Sequence, residues 1–176
     1  MIDLDLFKEV NDSYGHISGD MVLKQTAEIF MDCIRNNDFA VRLGGEEFLL
    51  VLRNFDSSYL SEKAEKIREK IENHHFEIGN GRPPIGRTCS IGCTIFPSSE
   101  TSSDEIDFMT SIALADEALY YAKWQGRNRA VTVEFSPEVL NDKKGIEKIF
   151  ESFEWGIEQN KVRLLNATEM KSRDTG

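Results

Sequence analysis

The chain has 176 residues, of which 31 are acidic and 21 are Lys or Arg, giving a formal net charge of −10. This length allows one domain with a full hydrophobic core plus an extension, and the acidic balance argues against a general binder of nucleic acid or anionic membranes. The three cysteines lack disulfide-framework spacing and no apolar segment reaches membrane-spanning length, so we expect a cytoplasmic protein, or the cytoplasmic part of a larger sensory protein.

Hydrophobic periodicity and turn signals predict strands and helices that intermix along residues 1–135. The predicted elements are a strand end at 1–5, a helical turn at 7–14, a helix opening at Gly19-Asp20, strands at 39–43 and 47–52, a helix capped by Asp56 or Ser57, a loop at 79–86, a strand at 88–96, a helix at 104–125 broken near Thr110, and a strand at 129–135. This order, with one tight hairpin in the middle, favours an α/β sandwich around a mixed or antiparallel sheet.

The most informative segment is Gly44-Gly45-Glu46-Glu47-Phe48, between the two central strands. Adjacent glycines allow a tight turn and close approach of a ligand, and Phe48 opens an apolar run that anchors a buried strand. The segment therefore predicts a hairpin tip that carries two carboxylates as metal ligands. For any single acid the alternative is a solvated surface charge.

Two longer patterns accompany the hairpin. Residues 3–20 read D-x-D-x-F-K-x-x-N-D-x-x-G-H-x-x-G-D, and residues 115–128 read A-D-x-A-L-Y-x-A-K-x-x-G-R-N. Together with the Gly-Gly-Glu-Glu-Phe segment, these patterns resemble the GGDEF family of diguanylate cyclases. The resemblance implies a nucleotidyl-cyclase palm, with a central five-stranded sheet ringed by helices.

The resemblance also assigns the metal site. It makes Asp3 a ligand, adds the carbonyl of Leu4, and takes the second carboxylate from Glu46. Glu47 is implied either as a ligand of a second metal or as a general base. Hard oxygen ligands of this kind select Mg²⁺ or Mn²⁺, with substrate phosphates completing the coordination.

Guanine recognition is expected at Asn11 and Asp20, because an amide can meet O6 or N3 and a carboxylate can accept from N1–H and N2–H₂. Adenine offers no such donor pair. His16 lies between them and is either substrate-proximal or structural.

The terminal phosphates of GTP are expected to meet three basic residues, Lys8, Lys123 and Arg127. For Lys123 and Arg127 the alternative is compensation of charge at the C-terminus of a helix.

An R-x-x-D pattern, Arg35 to Asp38, ends shortly before the glycine pair and resembles the family's inhibitory product site. A guanidinium can pair bidentately with phosphate or with the guanine Hoogsteen edge, while a carboxylate accepts guanine N–H groups. The pattern therefore predicts binding of cyclic di-GMP as an inhibitor, and a purely structural role is the alternative.

The implied reaction converts two GTP into cyclic di-3′,5′-GMP and two pyrophosphates. One domain holds one GTP, so the two-fold symmetry of the product requires an antiparallel homodimer, at least transiently. Two other classes stay open: a GTP or cyclic di-GMP sensor that regulates an attached EAL phosphodiesterase domain, and a scaffold without nucleotide chemistry.

We expect two segments: residues 1–135 as a GGDEF domain that lacks its N-terminal helical part, and residues 136–176 as a helical extension. The extension has an apolar helical face followed by a predicted strand at 161–165. Through Phe135-x-Pro137-Glu138, Gly156-Ile-Glu-x-Asn160 and the closing Thr175-Gly176, the extension resembles the connector and first strand of GGDEF–EAL tandem proteins, and a helical extension specific to this protein is the alternative. The expected face comprises Ile146, Ile149, Phe150, Phe153 and Ile157.

Overall fold

The computed structural model describes residues 1–55, 59–95, 108–140 and 143–165. Within these ranges the chain forms six strands and seven helices. They are β1 (Ile2–Leu4), α1 (Phe7–Tyr14), α2 (His16–Cys33), β2 (Phe39–Gly44), β3 (Glu47–Val51), α3 (Leu60–Glu72), β4 (Cys89–Cys93), α4 (Phe108–Trp124), β5 (Ala130–Phe135), α5 (Pro137–Leu140), α6 (Lys143–Glu151), α7 (Phe153–Glu158) and β6 (Val162–Leu165).

The strands form one sheet in the order β2-β3-β1-β4-β5-β6. β4 and β5 are parallel and are connected through α4, whereas the other neighbours are antiparallel. The predicted α/β architecture with a mixed sheet is confirmed. Residues 1–135 contribute the five strands expected for the palm, and the strand of the C-terminal extension pairs with β5 and lengthens the sheet to six.

The first hydrophobic core lies between the N-terminal strands and helices α1 to α3. Ile2 and Leu4 alternate along β1 with the buried Asp3, and they pack with Phe48 of β3 and Phe30 of α2. The rings of Phe30 and Phe48 meet edge to face with their centroids 5.1 Å apart. This core fixes the position of β1 against the hairpin, which is where the acidic residues are concentrated.

Helix α4 rests directly on the sheet at Gly92. A Cβ at this position would lie 2.1 Å from the carbonyl oxygen of Ala115 and 2.2 Å from the amide nitrogen of Leu119. Both partners are backbone atoms of a packed helix, so only glycine permits this approach. The contact sets the height of α4, and therefore of Lys123 near its end, above the sheet.

Three boundaries differ from the sequence expectation. Helix α2 begins at His16 rather than at Gly19, because Gly15, with φ of 86°, separates it from α1. Strand β4 ends at Cys93, and α4 runs without a break through Thr110. The expected cap at Asp56 or Ser57, the end of the expected strand at residue 96, and the expected helix start at 104–107 lie outside the described residues.

The C-terminal extension shares a second core with α4 and β5. Ile146 and Ile149 of α6 and Phe153 of α7 are buried there, and the rings of Phe153 and Tyr121 have centroids 5.6 Å apart. The expected apolar face is thus largely confirmed, but Phe150 is 37% exposed. The division of the chain after residue 135 stays a prediction.

Replacing Phe153 by Ala is expected to lower the free energy of unfolding by about 3 kcal/mol, because it leaves a cavity beside Tyr121. Urea unfolding followed by circular dichroism measures this change. Phe150→Ala is the matched control and should cost clearly less, since its ring is partly solvated already. Equal losses for the two variants would contradict packing of the extension into this core.

None of the helices in the described part of the chain combines the length and the apolarity that a bilayer crossing needs.

Candidate active site

The glycine turn forms the tip of the β2–β3 hairpin as predicted. Gly44 pairs with Glu47 across the two strands, which leaves Gly45 and Glu46 as a two-residue loop. Gly45 has a φ of 49°, the left-handed conformation that tight hairpin turns require at their first position. The side chain of Arg42 braces the tip, its Nε donating to the carbonyl of Gly45 at 2.8 Å.

Strand β1 lies beside this tip, so the hairpin acids reach the first aspartate. Asp3 is directly opposite Glu47 in the antiparallel register. The amide of Leu4 donates to the carbonyl of Glu46 at 3.3 Å, which ties the turn itself to β1. Glu46 is half-buried and Glu47 is exposed. The structure therefore brings Asp3, Leu4, Glu46 and Glu47 into one region.

Asp3 is only 7% exposed, and its carboxylate lies near other charged groups. Burial is the main cause that raises its pKa above the ordinary value, and the nearby carboxylates of Glu46 and Asp5 add to the rise. Lys123 lowers the pKa of Asp3, because its Nζ lies 2.8 Å from Oδ2 of that carboxylate. The net direction of the pKa shift is upward, so the surroundings of Asp3 disfavour its negative charge.

Lys123 links the end of α4 to the acidic centre. Its side chain is 30% exposed, so the ammonium group contacts both Asp3 and solvent. Asp3 belongs to β1, not to α4. The contact therefore favours a role of Lys123 in the candidate site over a role limited to compensating charge at the C-terminus of α4. Arg127 lies four residues further on, exposed in the turn that follows α4.

The residues predicted to bind the nucleobase lie on α1 and α2. Gly19 lies against Asn11: a Cβ on Gly19 would be 2.0 Å from Oδ1 of Asn11. This close approach sets the Asn11 amide directly beside the residue that precedes Asp20. Asp20 in turn lines a cleft of about 370 Å³, whose other walls come from α2 and the hairpin, including Leu23 and Phe48.

Lys8 and His16 are exposed at the surface of α1 and at the first residue of α2. Among the described residues, neither forms a hydrogen bond with another predicted site residue. Their proposed contacts with substrate stay predictions.

The R-x-x-D segment forms a closed loop between α2 and β2. Both carboxylate oxygens of Asp38 accept backbone N–H groups, from Arg35 and from Arg53, each at 2.9 Å. The Arg35 guanidinium is exposed and lies 5.9 Å from the centre of the Phe55 ring. Asp38 therefore shapes this loop, while Arg35 presents a charge at its surface.

Sequence reasoning assigned no role to Asp5, which is 4% exposed and fully hydrogen-bonded. Its carboxylate accepts from Thr88 and Ser90, each at 2.7 Å, and from the backbone amide of Asn128 at 3.0 Å. The available signal was the alternation of two hydroxyl residues, Thr88 and Ser90, on one face of a strand. Asp5 thus fastens β1 to β4 and to the turn after α4.

The described residues contain no cluster of three or more His, Cys, Asp or Glu side chains arranged around one metal position. The donors that meet here are the two carboxylates of Asp3 and Glu46, together with the backbone of Leu4. This hard oxygen set suits Mg²⁺ or Mn²⁺ when nucleotide phosphates supply further ligands. The raised pKa of Asp3 fits as well, because a cation would relieve the repulsion between the acids.

The fold and this acidic hairpin define a nucleotidyl-cyclase class of domain, and comparison with known proteins gives the same result. The family model described as "Diguanylate cyclase, GGDEF domain" matches residues 1–129. The chain belongs to the GGDEF family.

Particular relatives agree with this assignment. Diguanylate cyclase DosC of Escherichia coli K12 is 39% identical over 129 residues, which are 73% of this chain and 26% of DosC. Diguanylate cyclase A of Treponema denticola is 41% identical over 129 residues, 73% of this chain and 33% of the relative. The chain thus spans about a quarter to a third of the length of these two curated relatives.

Among solved structures, the GGDEF domain of DgcB from Caulobacter crescentus in complex with c-di-GMP has a TM-score of 0.65 and 28% identity. The match covers 74% of each chain.

Proposed function

We propose that this chain is a diguanylate cyclase domain that condenses two GTP into cyclic di-3′,5′-GMP and two pyrophosphates. The observation that carries the proposal is the meeting of Asp3 with the Gly-Gly-Glu-Glu hairpin and Lys123. In this reaction each 3′-hydroxyl attacks the α-phosphorus of the other nucleotide, and pyrophosphate leaves. Catalysis then depends on positioning and on charge stabilisation.

Asp3, Glu46, Glu47 and the carbonyl of Leu4 would hold Mg²⁺ or Mn²⁺. When bound, the cation supplies Lewis acidity toward the phosphates and lowers the pKa of the attacking hydroxyl. Glu47 is exposed at the start of β3, where it can accept the proton of that hydroxyl.

Residues on α1 and α2 would select guanine over adenine. Asp20, which lines the cleft beside Leu23, would accept from N1–H and N2–H₂ of guanine, and Asn11 on α1 and His16 at the start of α2 would meet the base. Lys8, Lys123 and Arg127 offer positive charge to the phosphates. This local charge lets an acidic protein bind a triphosphate.

Since one domain binds one GTP, the active form is an antiparallel homodimer. We place the catalytic part in residues 1–135, and we place the protein in the cytoplasm, where GTP is available. Residues 136–176 form the extension, whose described part packs on α4, and we propose it either as an element specific to this protein or as a connector to an EAL domain.

The proposal is tested by incubating the purified chain with GTP and Mg²⁺ or Mn²⁺ and separating the products by anion-exchange chromatography. We expect cyclic di-GMP and two pyrophosphates per product, no product from ATP, and none when the divalent cation is chelated. Tight binding of GTP without product would indicate the sensor instead. Absence of both binding and product would indicate a scaffold.

Inhibition by product is proposed at Arg35 and Asp38, which resemble the family's inhibitory site. Arg35→Ala is expected to raise the concentration of cyclic di-GMP needed for half-inhibition by about tenfold, the effect of losing one charge-assisted contact, with little change in the initial rate. Arg35 is the better position for this test, since Asp38 closes its own loop through two backbone amides.

Initial-rate assays with added cyclic di-GMP measure this effect. Arg163→Ala, which removes an exposed arginine on β6, is the control and should not alter inhibition. Superimposable inhibition curves for Arg35→Ala and the unchanged chain would rule out the proposed inhibitory site.

A further inference from the structure

We propose that Asn128 is a positioning residue that holds the turn after α4 in the conformation needed to present Lys123 and Arg127 to the phosphates of a guanine nucleotide. This inference rests on the proposed function, since it concerns binding of the triphosphate at that same site. Asn128 itself is half-buried and acts through its neighbours.

The turn has a backbone that few sequences adopt. Three consecutive residues, Gly126, Arg127 and Asn128, have positive φ values of 110°, 64° and 47°. Glycine takes such values freely and asparagine tolerates them, but an arginine in this region is unfavourable. A conformation of this kind persists only where surrounding contacts enforce it.

Asn128 supplies those contacts in three directions. Its backbone amide donates to Oδ2 of Asp5 at 3.0 Å. Its side-chain Nδ2 donates to Oε1 of Glu72 at 2.7 Å, and its Oδ1 accepts from Nη1 of Arg68 at 2.7 Å. The turn is therefore fastened to β1 through Asp5 and to α3 through Arg68 and Glu72.

The partners on α3 are themselves fixed. Arg68 is 8% exposed and pairs with Glu72 at 2.6 Å and with Glu65 at 2.7 Å. An ionised guanidinium between two carboxylates forms strong, directional hydrogen bonds. The amide of Asn128 offers both a donor for Glu72 and an acceptor for Arg68, whereas an ionised Asp lacks the donor and Ala lacks both, so the chemistry selects Asn over Asp or Ala.

The hydrogen-bond network around Asn128 connects to both predicted phosphate-binding residues, Lys123 and Arg127. Asp5 lies two residues after Asp3, which contacts Lys123, and the amide of Arg127 donates to the carbonyl of Ala122 at 3.1 Å. Loss of the Asn128 side chain would release Arg127 from its left-handed conformation. The guanine-binding residues, on α1 and α2, take no part in this network.

The test compares binding of a non-hydrolysable GTP analogue and of guanosine to the full chain by calorimetry, with Mg²⁺ present. For Asn128→Ala we expect affinity for the triphosphate analogue to fall by about tenfold, the effect of Arg127 losing one hydrogen bond to a charged phosphate. Affinity for guanosine should stay within twofold. Asn128→Gly keeps the left-handed backbone without the side chain, so its affinity for the analogue should lie between those of Asn128→Ala and the unchanged chain.

Asn80→Ala is the matched control, because Asn80 also has a positive φ, 58°, but lies exposed in the loop after α3. It should change neither affinity. Unaltered affinity for the analogue in Asn128→Ala, or an equal loss for both ligands, would overturn the positioning role alone. If the unchanged chain binds neither the GTP analogue nor guanosine, the proposed function is overturned, and this inference with it.

Discussion

Replacing Glu47 by Gln is expected to lower the rate of cyclic di-GMP formation by about 10³-fold, within the range that general acid–base catalysis contributes. The amide keeps the size of the side chain but can neither accept a proton nor carry the charge that a metal ligand needs. Glu47 is exposed at the first position of β3, so its replacement should leave the fold unchanged. Product formation measured by chromatography, beside a circular dichroism spectrum, checks both statements.

Glu28→Gln is the matched control for this variant. It makes the same chemical change on the exposed surface of α2, where, among the described residues, Glu28 forms only a long, solvated ion pair with Lys24. Its effect on turnover should be negligible. Turnover of Glu47→Gln equal to that of the unchanged chain would refute a catalytic role for this glutamate.

Replacing Asp3 by Asn is expected to remove most of the activity while increasing the stability of the protein at neutral pH. The activity loss should reach about 10³-fold, since one carboxylate ligand contributes several kcal/mol of charge stabilisation. The stability gain follows from burial, which raises the pKa of Asp3 and so disfavours its charge in the folded state. An uncharged amide of the same shape removes this penalty, which exceeds the benefit from Lys123.

The pH dependence of this stability difference has a definite sign. A carboxyl group whose folded-state pKa is raised binds its proton more tightly in the folded protein, so its ionisation destabilises the fold as pH rises. The advantage of Asp3→Asn should therefore vanish below the ordinary pKa of aspartate, grow between that value and the raised pKa, and level off above it. Urea unfolding at several pH values measures the difference, and a variant less stable than the unchanged chain at pH 7 would contradict this account.

Divalent cation gives a second measurement on the same pair of proteins. At about one hundred times its Kd, a cation that binds only the folded state adds about 2.7 kcal/mol, which raises the Tm of a chain this long by roughly 5–10 °C. With a non-hydrolysable GTP analogue present, added Mn²⁺ should raise the Tm of the unchanged chain and not that of Asp3→Asn. Equal shifts for both would remove Asp3 from the metal site.

Much of the site could be predicted because its parts are local in sequence. The Gly44-Gly45 pair specifies a tight turn, and the acids that follow it are covalently placed at its tip. The same holds for residues 3–20, where fixed spacings along β1, α1 and α2 carry the whole pattern. Glycine at position 19 was predicted to open a helix, whereas in the fold it allows the amide of Asn11 to approach.

The amino-acid sequence by itself determined the family, the α/β class, the hairpin and the residue types that chemistry requires, because each depends on short-range spacing. Only the tertiary structure decided that β6 extends the sheet, that Asp38 closes its own loop, and that Asp5 and Arg68 meet at Asn128. These arrangements join residues separated by 15 to 123 positions. Which distant partners meet depends on how helices and strands pack together, and that packing is not encoded in the spacing of any one segment.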